Sequence, residues 1–153
     1  MRLSATFSAY LVLWALGSGA AQPIAPPLPQ GRWKLQVCLS QGYTSIQPCA
    51  YLDDRLILRV ESPAVPPGQQ GPVVFEQHIS QEVAQRIYIS ALAAIRSFNS
   101  TPGREVLDGA LVSVTLTAAV NTAHVEFGDS DVSKMSPAVR ELNGLLNETT
   151  HAF

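Results

Sequence analysis

The sequence predicts an α+β domain, a small antiparallel sheet with two helices packed on one face, in the element order β-β-(β)-α-β-β-α. Two patterns lead there: segments that alternate apolar and polar residues in adjacent pairs, and two segments whose apolar residues recur at helical spacing. A length of 153 residues, 46% hydrophobic and 14% charged, fits one such domain.

Trp33, Leu35, Val37 and Leu39 alternate with Lys34, Gln36 and Cys38, which gives the first strand. Leu56, Leu58 and Val60 alternate with Arg55, Arg59 and Glu61 in the second, and Val73 to Gln77 supplies a shorter third. Val112 to Ala118 and His124 to Phe127 form a hairpin. A turn at Asn121 and Thr122 would place Ala118 opposite Val125 and Leu116 opposite Phe127, with both apolar faces on one side.

Ser80 is a good N-cap for the first helix, whose apolar arc runs through Val83, Ala84, Ile87, Tyr88, Ala91, Leu92, Ala94, Ile95 and Phe98. Asn99 to Gly103 ends it. The second helix starts at Ser136 with Pro137 in its first turn and carries a narrower stripe of Ala138, Val139, Leu142, Leu145 and Leu146.

Proline marks the organisation around these elements. Residues 22–31 hold Pro23, Pro26, Pro27 and Pro29 and read as a linker, and Ser62 to Pro72 reads as an exposed loop within a single domain of residues 32–148. Residues 149–153 are a tail. Ahead of the linker, Arg2, an apolar run and the small residues Gly17 to Ala21 make residues 1–21 a secretory signal peptide, cleaved after Ala21. The expected location is periplasmic or secreted, with no membrane span after signal cleavage.

Export makes Cys38 and Cys49, the only two cysteines, a structural disulfide pinning the segment between them. A redox pair would want Cys-x-x-Cys spacing, and no further residues are spaced to complete a zinc site.

The net charge is −2, so no nucleic-acid partner is expected on electrostatic grounds. No glycine-rich phosphate cradle and no metal motif is present in the sequence, and no cofactor is expected. Asp129, Ser130 and Asp131 lack the other ligands of a calcium loop and read as a solvated turn. Asn99 and Asn147 head glycosylation sequons.

If the helices cover one sheet face, the alternation leaves the other polar. Lys34, Arg59, Thr115, Thr117, His124 and Glu126 would project there with Gln36 and Ser113, and Ile57 and Leu111 would be its apolar members. This face, with the loop around Pro66 and Pro67, is the candidate binding surface for an exported protein, an envelope or wall component, or a small ligand. The function expected is therefore a non-catalytic exported binding module. The alternative is a small secreted hydrolase with His124 as base and Glu126 beside it, although no nucleophile elbow accompanies them.

Overall fold

The computed structural model describes residues 26–41, 45–62, 71–98, 109–129 and 131–153. The segment expected to be a signal peptide, the start of the linker, Pro66 and Pro67, the Asn99 sequon and the segment expected to end the first helix lie outside the described residues.

Six strands form one sheet: β1 (Trp33–Gln41), β2 (Ser45–Asp53), β3 (Ile57–Glu61), β4 (Val73–His78), β5 (Ala110–Ala118) and β6 (Asn121–Asp129). Their spatial order is β4-β3-β2-β1-β5-β6, and every neighbouring pair is antiparallel. Helix α1 (Gln81–Ser97) connects β4 to β5, and α2 (Pro137–Thr150) follows a 3₁₀ turn at Val132–Lys134. The α+β class and the one-sided placement of the helices are as the sequence predicts.

Period-two alternation fixes the two faces. Trp33, Leu35, Val37 and Leu39 of β1, Val112, Val114 and Leu116 of β5, and Leu58 and Val60 of β3 are buried on the helix side. They share one core with Ile87 and Ala91 of α1 and with Val139, Leu142 and Leu146 of α2. Trp33 meets Tyr88 of α1 edge-on, with ring centroids 5.5 Å apart. Ala84, Ala91 and Ala94 on α1 are fully buried, and their small side chains let neighbouring elements approach closely.

Both helices start as their caps dictate. The Ser80 hydroxyl accepts from the Val83 N–H at 3.3 Å, and the Ser136 hydroxyl accepts from the Val139 N–H at 3.4 Å with Pro137 in the first turn. The Ser97 and Ser136 hydroxyls, 3.2 Å apart, join the end of α1 to the start of α2.

The structure corrects the sequence reading at β2, which adds a strand between β1 and β3. Pro48 hides it, because proline cannot donate to a ladder and argues against a central strand. Here the missing N–H costs little. The β1–β2 register is irregular between Cys38 and Ser40, beside Pro48, and the pairing with β3 begins only at Cys49. As a result, the disulfide does not staple a loose loop: Cys38 and Cys49 are directly opposite each other on paired strands, with Cα atoms 4.1 Å apart.

A second correction concerns the β5–β6 hairpin. Ala118 pairs with Asn121, Leu116 with Ala123, Val114 with Val125 and Val112 with Phe127, so the turn is the pair Ala119 and Val120. Ala119 adopts a positive φ of 52° to make it. The register differs from the expected one by an even number of residues, so every side chain keeps its predicted face.

Two peripheral segments are attached to the domain. In the linker, Leu28 packs against the core, the Gln85 side chain donates to the Pro26 carbonyl at 3.3 Å, and Gly31 turns the chain into β1 at a φ of 90° that favours glycine. In the tail, Thr150 is buried and Ala152 and Phe153 pack on the core.

Candidate functional site

The face away from the helices is organised in rows that cross the sheet. One row runs through all six strands as Glu76, Arg59, Tyr51, Gln36, Thr115 and His124. On one side of it lie Asp53, Lys34, Thr117 and Thr122, and on the other Glu61, Cys49, Cys38, Ser113 and Glu126. All six residues singled out from the sequence, Lys34, Arg59, Thr115, Thr117, His124 and Glu126, are therefore on this face. The structure divides them into two groups.

The first group surrounds Tyr51. Lys34 Nζ lies 4.7 Å from the centre of its ring and the Arg59 guanidinium carbon 5.4 Å. Cations are attracted to the negative face of an aromatic ring, and both distances are within range of that attraction. Arg59 also pairs with Glu61 at 2.9 Å, and Glu61 is only 8% exposed. The Tyr51 hydroxyl hydrogen-bonds the same carboxylate. Burial, and then the Glu61 charge and hydrogen bond, raise the Tyr51 phenol above its ordinary pKa, with Arg59 opposing.

Asp53 organises the adjoining turn between β2 and β3. Its carboxylate accepts from the Arg55 N–H at 3.0 Å and the Ile57 N–H at 3.3 Å, and it binds the Arg55 guanidinium at 2.7 Å. Aspartate at the first position of a turn bonds the backbone ahead of it in this way. Leu56 completes the turn at a φ of 60° and rests against the core. Partial burial pushes the Asp53 carboxyl up, but the bonds from Arg55 and Ile57 outweigh it and hold its pKa below the usual value.

These residues border an open depression of about 770 Å³, lined by Lys34, Tyr51, Asp53, Ile57, Arg59 and Glu76 together with Arg32 and the turn. Tyr51 and Ile57 are half-buried, while Lys34 and Glu76 are exposed on opposite sides.

The second group lies on β5 and β6, away from the depression. The Thr115 hydroxyl is 2.7 Å from His124 Nδ1, and His124 Nε2 is 3.3 Å from Glu126 Oε1. Hydroxyl, imidazole and carboxylate thus form a hydrogen-bonded line. The His124 and Glu126 side chains are each about half exposed. N–H groups of sheet strands lie in the plane of the sheet, so none here points above it to hold a developing oxyanion. Thr117 joins neither group and faces the Thr122 hydroxyl at 3.3 Å.

Among the described residues no cluster of histidine, cysteine, aspartate or glutamate is placed to hold a metal ion. Asp131 instead caps the 3₁₀ turn, accepting from the Ser133 N–H at 2.7 Å. Among the described residues no helix is long and apolar enough to cross a membrane.

No protein-family model matches the chain, and no curated protein is detectably similar to it. The site is therefore read from its own residues.

Sequence reasoning missed Tyr51, Asp53 and Glu76. The first two belong to the overlooked strand β2, where Ala50 and Leu52 alternate with Cys49, Tyr51 and Asp53; that alternation was the available signal. Glu76 is on β4, whose register to β3 the sequence does not specify.

Proposed function

We propose that the chain is an exported, non-catalytic binding module that presents its outer sheet face, centred on the depression beside Tyr51, to a protein, a wall component or a small ligand. The observation that carries this is the convergence of Lys34 and Arg59 on the Tyr51 ring at the edge of a concave, polar surface. Concavity matters because a recessed site surrounds an occupant with groups from several strands at once. Export is supported by the signal-like N-terminus and by a cross-strand disulfide, a bond that persists in oxidising compartments.

The test is partner capture from an envelope fraction with wild-type protein and two variants. Lys34→Glu should weaken capture with an unchanged circular dichroism spectrum, whereas His124→Ala, outside the depression, should have a smaller effect. Full capture by Lys34→Glu would overturn the proposed surface. Arg59 is a poor choice for charge reversal, because the change would leave the buried Glu61 facing a second carboxylate.

The hydrogen-bonded line through Thr115, His124 and Glu126 favours a second reading, a small hydrolase. Thr115 would be its nucleophile, His124 Nδ1 would take the hydroxyl proton, and Glu126 would stabilise the imidazolium at Nε2. Loss of a measurable turnover in His124→Ala, with fold and capture intact, would establish it in place of the binding module.

A further inference from the structure

We infer that the depression beside Tyr51 accepts an extended peptide segment carrying a carboxylate at one end, an apolar side chain in the middle and a cation at the other. This assignment rests on the binding-module proposal and names the chemistry of the occupant.

Charge placement on the two sides points to it. Asp53, the residue opposite Lys34, is held by Arg55 and by two backbone N–H groups, and Lys34 leans over Tyr51 instead. Arg59, the residue opposite Glu76, is held by Glu61. Among the described residues neither Lys34 nor Glu76 has an ion-pair partner within 4.0 Å. One side of the depression thus offers a cation and the other a carboxylate, with Tyr51 and Ile57 between them.

The spacing suits a peptide. Lys34 is on β1 and Glu76 on β4, three strand intervals apart and one row apart along the strands, or about 16 Å. An extended chain rises about 3.4 Å per residue, so side chains at i, i+2 and i+4 share one face and span about 14 Å, within about 2 Å of that separation. The end residues would meet Lys34 and Glu76, and the middle one would rest on Ile57 and the Tyr51 ring. A lone anion would satisfy one side only, and an uncharged saccharide neither.

The experiment is an NMR titration of ¹⁵N-labelled protein with an acetylated, amidated pentapeptide of glutamate, serine, leucine, serine and lysine. Two further probes replace either the glutamate or the lysine by glutamine. Amide shifts should centre on Lys34, Tyr51, Ile57 and Glu76, and each neutralised probe should bind about threefold more weakly, the range of exposed ion pairs. Lys34→Gln should abolish discrimination between the parent and the probe without glutamate while keeping discrimination against the probe without lysine. Glu76→Gln should do the reverse. Equal binding of all three probes in the depression would overturn the charge assignment and leave the binding module standing. No shifts with any probe would overturn the peptide assignment and leave the binding module standing, whereas shifts confined to the helices would overturn both.

Discussion

Lys34 holds its ammonium 4.7 Å from the centre of the Tyr51 ring, and not on Asp53, the carboxylate directly opposite it on β2. The turn explains the choice: Asp53 is already bonded to Arg55 and to the N–H groups that shape the chain reversal. Local turn chemistry thereby leaves a cation at the side of a concave surface.

Tyr51 has a second duty, since its hydroxyl bonds the nearly buried Glu61. Tyr51→Phe keeps the ring under both cations but leaves that carboxylate one partner short, and should cost about 1–2 kcal/mol in denaturant unfolding. A raised phenol pKa in the folded state contributes stability that is complete below the unfolded tyrosine pKa and is lost as pH rises through the folded one. The gap between wild type and Tyr51→Phe should therefore narrow above about pH 10.

Asp53 behaves in the opposite sense. Asp53→Ala removes the acceptor for two backbone N–H groups and should lower stability by about 1–2 kcal/mol near neutral pH. Because the folded pKa is depressed, the wild-type advantage is complete above the unfolded value of about 3.9 and disappears as pH falls through the lower folded value. Unfolding free energies of the two proteins measured from pH 6 downward should converge; a constant difference would place the effect in packing.

The disulfide links strands that are already paired on both sides of it. Replacing Cys38 and Cys49 together by serine should leave a folded protein that is less stable by about 3 kcal/mol, the loop-closure contribution for this spacing. Thermal unfolding with near-ultraviolet dichroism would check this, and loss of the aromatic signal at room temperature would contradict it.

In α1, Ile87 is fully buried and Arg86 beside it is exposed. Ile87→Asp puts an unpaired charge in the core and should abolish cooperative unfolding, whereas Arg86→Ala should stay within about 0.5 kcal/mol of wild type.

These residues also show what the sequence made legible. The outer face was readable because strand side chains alternate strictly, and even the misplaced turn at Asn121 and Thr122 changed the β5–β6 register by an even step. Pairing partners were not readable, because they depend on which backbone groups must be satisfied. Pro48 is accommodated only because β3 stops at Glu61 and the β1 pairing is irregular beside it. Missing β2 meant missing Tyr51, and with it the centre of the site, although both cations around that ring were already named. Isolated side-chain chemistry had pointed to His124 and Glu126, which the register sets apart from the depression.

Site-directed photo-crosslinking in cells tests the central claim most directly. A photoreactive phenylalanine analogue would replace Thr117, beside Lys34 on the outer face, or Arg86, exposed on α1. The binding module predicts a discrete adduct from position 117 that Lys34→Glu diminishes, and none from position 86. An adduct from position 86 alone would place the partner on the helical layer and contradict the assignment of the outer sheet face.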